Sequence, residues 1–382
     1  MSQTLACRPL QVEIARTPAE FARLEQDWND LFERSGRSHH VFQQFGWLGH
    51  GLNNAAPDAH PARLCIVTVR LAGQLVLIWP LEIVSRAGLK QLQWFGAPYG
   101  QYGDVLIAEK VDRAAILGAA WRQILCEIRP DLCLLRRVRA DANVGAFLDT
   151  VGAIVVDRSL AASIDLQKAP TFEEYLETKL SRHARKELRR LRRRLGEYGE
   201  VRSETVHEPV LASQIARQSI ELKRRWLADR GLASRTLACR RATDYFANIA
   251  LGDVASGKTV VRALWSGEQL AGAQVAFACK GRLALHVIAY NLEHQRAGVG
   301  KLHLADTIEW AYGNGFSEVD LLAPSADYKL DWATDTTTVE DLAVPISIAG
   351  HLYTSAYLAH VRPGLKRVVP YLPKPIRKWA EV

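Results

Sequence analysis

Paired cysteines and a general basic field are missing from this chain of 382 residues, and no leader segment is expected at its start. The six cysteines, Cys7, Cys65, Cys126, Cys133, Cys239 and Cys279, form no C-x-x-C pair. A zinc ribbon and a disulfide scaffold are thereby excluded, no metal site is expected, and reduced thiols in a cytoplasmic protein are expected. The opening residues, MSQTLACRPLQVEIARTPAEF, have neither a basic start nor an apolar stretch of roughly 7 to 15 residues, which argues against a secretory signal there. Acidic and basic residues are absent from Leu342 to Val361, about the length of a bilayer span. Pro345, Gly350, His351 and His360 within that run point instead to a buried strand followed by a helix. The formal net charge is +8, yet residues 181–194 (SRHARKELRRLRRR) hold eight Arg or Lys against one Glu, so the rest of the chain carries only about +1.

What is present follows one plan twice. With 48% hydrophobic and 24% charged residues the chain is globular in composition and long enough for two domains. Residues 17–34 open with Thr-Pro and place Phe21, Leu24, Trp28, Leu31 and Phe32 at helical spacing. The strand-like runs RLCIVTVR and QLVLIWPLEIV meet at Leu71-Ala72-Gly73, a hairpin turn. A Gly- and Pro-broken stretch, QLQWFGAPYGQYGDVLI, precedes a helix over 112–128 and the strand CLLRRV. The second half repeats that order with helices over 171–196 and 208–230, the hairpin KTVVRALWSGEQLAGAQVAFAC, the strand RLALHVIAY, a helix from Lys301 to Tyr312 and the strand EVDLL. Laying Gly73 over Gly267 superposes the two hairpins, which suggests an internal duplication. The expected fold is α/β (α+β) in two domains, 1–160 and 161–361, followed by a basic aromatic tail, 362–382.

The stretch richest in chemistry is 282–322. A β-rich run stops at Tyr290, and Gln295-Arg296-Ala297-Gly298-Val299-Gly300 leads, through Lys301, into a helix whose apolar side carries Leu302, Leu304, Ile308 and Ala311. Glycines let a backbone approach a phosphate closely, and a helix start offers unpaired N–H groups and the positive end of its dipole. No Walker G-K-[ST] and no G-x-G-x-x-G is present.

Q-x-x-G-x-G between two strands and before a helix resembles the acetyl-CoA motif of the GNAT acyltransferase superfamily. The Trp-bearing leading helix and its hairpin, the Tyr102-Gly103-Asp104 turn, the basic helix near 181–194, and Asp320 followed by Tyr328-Lys329 and Trp332 resemble its CelD-like, BioF2-like, FemAB-related branch. That resemblance implies two tandem GNAT-like domains, each a mixed twisted sheet flanked by helices. Only the second has the loop, since nothing between residues 60 and 150 matches Q-x-x-G-x-G. It implies acetyl-CoA or another acyl-CoA as donor, held by residues 295–301 on the pyrophosphate, with the pantetheine between the strands 282–290 and 318–322. The implied activity is N- or O-acyl transfer to an amino sugar, polysaccharide or cell-envelope precursor by direct attack in a ternary complex. A FemAB-like transferase using aminoacyl-tRNA, and a non-catalytic nucleic-acid- or membrane-binding module on the same fold, are the alternatives.

Acyl transfer needs a base for the acceptor, a donor for the oxyanion and an acid for the leaving thiolate. His286, mid-strand, suits the base role, or else is a satisfied core histidine. Tyr328 and Lys329 occupy the position where the family places a Tyr-Lys pair, the first to protonate the thiolate and the second to polarise the carbonyl or hold an anionic acceptor. Asp320 is a second candidate base, or orients Lys329. Tyr102 and Asp104 are candidates for acceptor binding, although turns use such residues for backbone reasons as well. No Cys or Ser stands in a nucleophile motif, so no acyl-enzyme is expected. On the basic helix Arg182, Arg185, Arg189 and Arg193 form one row and Lys186, Arg190 and Arg194 the next, with Leu188, Leu191 and Leu195 buried. Those rows are either a solvated face or a seat for an anionic membrane surface, a lipid-linked sugar acceptor, nucleic acid or the adenosine phosphate of CoA. Peripheral attachment at the inner face of the membrane, shared with the tail, is compatible with the cytoplasmic expectation.

Overall fold

The structure is a computed structural model that describes residues 10–54, 63–232, 234–239 and 241–356. Cys7 and the tail 362–382 lie outside the described residues. The described residues divide into two compact units, one of residues 10–158 and 338–356, the other of 159–337.

Unit 1 begins with β1 (Leu10–Ala15), α1 (Pro18–Ala22) and α2 (Glu25–Ser35). Thr17 starts α1 with a reciprocal cap: its hydroxyl accepts from the Glu20 N–H at 3.2 Å while the Glu20 carboxylate accepts from the Thr17 N–H at 3.0 Å. The single helix expected over 17–34 is therefore two, jointed at Arg23–Leu24, with Phe21, Trp28, Leu31 and Phe32 buried as their spacing requires. After α3 (Phe45–Asn53) come the hairpin β2 (Arg63–Leu71) and β3 (Gln74–Arg86), then β4 (Leu89–Trp94), β5 (Leu106–Ile107), α4 (Arg113–Glu127), β6 (Leu132–Arg139) and α5 (Gly145–Thr150). Ala72 and Gly73 both take positive φ, the primed turn that matches the twist of a two-residue hairpin. The sheet order is β1-β2-β3-β4-β6, antiparallel except for the parallel β4–β6 pair.

Unit 2 takes up β7 (Ile154–Asp165) from Ser159 and continues with α6 (Phe172–Lys179), α7 (Arg182–Gly196), β8 (Val201–Val206), α8 (Pro209–Asp229), α9 (Arg235–Ala238) and α10 (Ala242–Asp253). The helix expected over 171–196 is broken because Leu180 is extended and Ser181 caps a new start, accepting from the Ala184 N–H at 3.2 Å. There follow β9 (Thr259–Ser266), β10 (Gln269–Cys279), β11 (Arg282–Tyr290), α11 (Val299–Gly313), β12 (Glu318–Asp320) and α12 (Asp327–Trp332). The order β8-β9-β10-β11-β12, with only β11–β12 parallel, repeats that of unit 1 strand for strand. In both units a strand, two or more helices, a three-stranded meander, one helix and a parallel strand follow in sequence. β7 adds antiparallel to β12.

The chain then returns to unit 1. β13 (Asp335–Pro345) pairs antiparallel with β6 from Val339↔Arg139 to Pro345↔Leu132, and α13 (Ile348–Leu352) follows, so the charge-free run holds a strand and a helix. Of the second domain expected over 161–361, the described residues 338–356 group with unit 1. No helix among the described residues is long and apolar enough to cross a membrane.

α11 is buried on nearly every side, and its seat is partly polar. Arg262 on β9 donates to Ser203 and Thr205 of β8, at 3.0 and 2.8 Å, and to Thr307 of α11, at 3.2 Å. Thr307 donates in turn to Gln274 of β10 at 2.8 Å. Three strands and the helix thus share one buried network, which fixes where α11 begins.

Candidate active site

β11 has a neighbour on its β12 side for only a third of its length. The parallel pairs are Arg282↔Glu318, Leu283↔Val319 and Ala284↔Asp320, whereas β11 runs on to Tyr290 with β10 alone beside it. The divergence coincides with a bulge: Val287 pairs with Val275 and Leu285 with Ala276, which leaves His286 as the extra residue. A bulge bends its strand and re-aims side chains. His286 is half-buried there between Phe246 and Phe277, with ring centroids 4.9 and 5.7 Å away.

Asp320 and Lys329 hold the other lip of this gap. Asp320 is fully buried; one oxygen accepts from Arg282 Nη1 and the other from the Leu322 N–H, both at 2.8 Å. Leu322 has φ +61, a left-handed conformation that costs a non-glycine residue roughly 1 kcal/mol. Lys329 Nζ reaches back from α12 to donate to the carbonyls of Leu322 and Pro324, at 3.0 and 2.9 Å. Together the two side chains hold the turn that takes the backbone away from β11 after residue 320.

At the mouth of the gap Leu292–Ala297 forms a short 3-10 turn and Gly298, at φ +64, starts α11. Gln295, Arg296 and Lys301 are exposed, whereas Ala297 and Val299 are buried. Gly298 brings no capping side chain, and the N–H groups of Val299 and Gly300 have no backbone acceptor among the described residues. Both glycines have a packing reason as well. A Cβ on Gly298 would stand 2.6 Å from Leu191 Cδ1, and one on Gly300 would stand 3.3 Å from the Tyr290 ring. α7 is thus seated directly behind the loop: Leu191 and Leu195 pack with Ala297, Val299 and Leu302, Arg194 Nη1 donates to the Arg296 carbonyl at 2.9 Å, and Arg192 pairs with Asp306.

A cluster absent from the sequence-based expectations flanks the same mouth. The Tyr290 hydroxyl accepts from Trp226 Nε1 at 2.7 Å and from Arg230 Nη2 at 3.4 Å. Lys223 and Arg230 both lie over the Trp226 indole, 4.3 and 4.4 Å from its centroid. Tyr328, on α12, leaves 38% of its surface exposed, yet crowding around its hydroxyl and then the neighbouring Tyr290 raise its phenol to about 12. Spacing at 223, 226 and 230 marks one helix face and nothing more, so the only signal in the sequence was an aromatic between two cations.

Residues 182–330 match the family model described as an acetyltransferase (GNAT) domain. The chain carries a GNAT acyltransferase domain. Its fold is shared with three solved structures. FemX has 10% sequence identity with a TM-score of 0.58, over 90% of this chain and 99% of that one. A tandem GNAT protein from the clavulanic acid biosynthesis pathway has 14% identity and a TM-score of 0.52, over 88% and 99%. The C-terminal domain of a protein described as a lysylphosphatidylglycerol synthetase, from Agrobacterium fabrum, has 12% identity and a TM-score of 0.54, over 88% and 96%. No curated protein matches the chain in sequence. The repeated strand order makes the architecture a tandem of GNAT-like units.

The first GNAT-like unit lacks the corresponding anion-binding helix start. Its α4 occupies the place of α11, but Asp112 caps it, accepting from the Ala115 N–H at 3.0 Å, and a carboxylate at that point repels an anion. Tyr102 and Asp104 lie in this unit, both buried. The Asp104 carboxylate accepts from the N–H groups of Val105, Asn143 and Val144, at 2.8, 2.7 and 3.0 Å, and from His40 Nε2 at 2.9 Å. His40 Nδ1 accepts from the Arg37 N–H, so His40 has both ring nitrogens engaged and is a strut. Gly103 between them is required by Trp94, whose Nε1 lies 2.0 Å from where a Cβ would stand. The turn thus knots the unit together through buried hydrogen bonds.

Proposed function

We propose that this protein transfers an acyl group from acetyl-CoA or another acyl-CoA to an amine or hydroxyl of a sugar, polysaccharide or cell-envelope precursor, by direct attack in a ternary complex. One observation carries the reading: the β11–β12 gap opens at the His286 bulge and ends, at its mouth, on a helix start without a capping side chain. The donor supplies a thioester-activated acyl group. The chain suits such a donor, because the Val299 and Gly300 amides point an anion-binding helix start at the mouth and the gap is lined by strand backbone that β12 leaves unpaired.

Within this reading His286 takes the acceptor's proton from its place on the bulge. Tyr328 enters as a hydrogen-bond donor to the leaving sulfur. A phenol raised to about 12 is protonated at neutral pH, but full transfer of its proton to a thiolate, with an ordinary thiol pKa of roughly 8.5, would be uphill. Asp320 and Lys329 serve as positioning residues that keep the gap open, in place of the base and carbonyl-polarising roles that the family resemblance implies. Residues 295–301 hold the donor by backbone groups. Acetyl-CoA at millimolar concentration should raise the melting temperature of the full chain, and an unchanged transition would overturn the reading.

A second reading, with aminoacyl-tRNA as donor, is favoured by α7. Arg182, Lys186, Arg189, Arg190 and Arg193 are exposed along it. RNA retention that falls steeply with salt and disappears when these side chains are neutralised would support it. Liposome binding by the same face, without any response to CoA, would instead support peripheral attachment near a lipid-linked acceptor.

A further inference from the structure

We propose that Lys223 and Arg230, held over the Trp226 indole beside Tyr290, form a phosphate-binding subsite for the 3′-phosphate of a CoA-type donor. The inference rests on the acyl-CoA reading and goes beyond it, since Lys223 lies on α8 and Arg230 at its C-terminal cap, outside the 295–301 loop.

The placement is carried by a short chain of contacts. The Gly300 backbone at the α11 start lies against one edge of the Tyr290 ring, with its Cβ position 3.3 Å from Cδ1 and Cε1. The hydroxyl at the far end of the same ring accepts from Trp226 at 2.7 Å and from Arg230 at 3.4 Å. The helix start thus lies at one edge of the Tyr290 ring and Arg230 at its hydroxyl, with Lys223 joined to the same hydroxyl through Trp226. A diphosphate on the amides leaves a further phosphate of the same ligand within reach of the cations, and α7 sits behind the loop on its own contacts.

The cluster keeps a net positive charge. Among the described residues no carboxylate pairs with Lys223, and the ion-pair partner of Arg230 is its chain neighbour Asp229 at 3.5 Å. Two cations over one indole repel each other, and a phosphate between them would remove that repulsion while forming charge-assisted hydrogen bonds. Burial first, and then the Arg230 charge, lower the Lys223 ammonium to about 8. The other ionisable groups of the cluster are Asp229, paired with Arg230, Tyr290 on β11, bonded to Trp226 and Arg230, and Tyr328 on α12 next to Tyr290. An anion arriving at Lys223 favours its charged form, so binding near pH 8 draws in a proton.

The test compares CoA with 3′-dephospho-CoA by titration calorimetry on the full chain at pH 8, in buffers of different ionisation enthalpy. The wild-type protein should bind CoA at least about tenfold more tightly than dephospho-CoA, and take up roughly half a proton with CoA and almost none with dephospho-CoA. Lys223→Gln with Arg230→Gln should bring the two affinities within about twofold of each other. Lys223→Arg should keep the preference but abolish the proton uptake, which a merely structural lysine would not do. Circular dichroism on each variant separates loss of the subsite from loss of the fold. Equal affinities of the wild-type protein for the two ligands, or proton uptake that survives Lys223→Arg, would overturn the subsite while leaving the acyl-CoA reading in place. Binding of neither ligand would overturn both.

Discussion

Replacing Gly298 with Ala probes the closest approach at the site, where α7 meets the 295–301 loop. Two effects add. Glycine holds φ +64 there, and an L-residue in that region costs roughly 1 kcal/mol. The new methyl would also stand 2.6, 3.0 and 3.2 Å from Cδ1, Cδ2 and Cγ of Leu191. Leu191 is 6% exposed and packed against Ala297, Val299 and Leu302, so it has little room to yield, and overpacking of this kind costs about 1–3 kcal/mol. The expected loss is about 2–4 kcal/mol. Leu191→Ala alone should cost about 2–5 kcal/mol through the cavity it leaves. In the double variant the methyl of residue 298 enters that cavity, so the two changes should cost less than their sum by about 1–3 kcal/mol. Urea unfolding of the four proteins at pH 7 measures the cycle. Additivity within about 0.5 kcal/mol would refute the argument that Leu191 is what keeps residue 298 small. A Gly298→Ala protein of unchanged stability that no longer binds CoA would refute it as well, since the glycine would then serve only phosphate approach.

Two further outcomes follow from perturbed acids. Burial pushes the Glu82 carboxyl up to about 7, against the hydrogen bond from Gln93 and the charge of Arg86. Its folded pKa lies above its unfolded one, so the native state binds more protons between about pH 4.5 and 7 and loses up to roughly 3 kcal/mol of stability as pH rises through that window. Glu82→Gln should flatten the difference in urea stability between pH 5 and pH 8; an unaltered pH dependence would place the burden on other groups. Tyr328→Phe should lower kcat about 10²-fold with KM little changed, and by the same factor from pH 6 to 10 because the phenol stays protonated throughout; a factor that shrinks toward pH 10 would show that the phenol ionises in that range.

Local patterns carried much of the fold. β11 spans the run RLALHVIAY from end to end, and α4 and α8 fall within a residue of the helices expected over 112–128 and 208–230, because strong periodicity is bounded there by caps or turn residues. The break at Leu180–Ser181 was invisible because neither Gly nor Pro marks it, and a serine in a charged stretch reads equally well as a helix position. The return of β13 to β6 depends on pairing across some two hundred residues, which no local window contains. At the site, His286 and the loop were legible from strand ends and glycines. The partnership of Asp320 with Arg282, 38 positions apart, was not. Nor was the reach of Trp226 and Arg230 to Tyr290, because a helix face shows its spacing but not what packs against it.

The returning strand bears on how the chain is made. A ribosome releases residues 10–158 long before 338–345, and until those last residues emerge β6 presents an open edge of hydrogen-bonding groups. The first unit synthesised is therefore the second to be completed. All of unit 2 up to Thr337 can fold while unit 1 still waits for its closing strand. A fragment ending at residue 337 would keep the 295–301 loop and the β11–β12 gap entire, yet leave the amino-terminal half with the exposed edge that drives chains to aggregate.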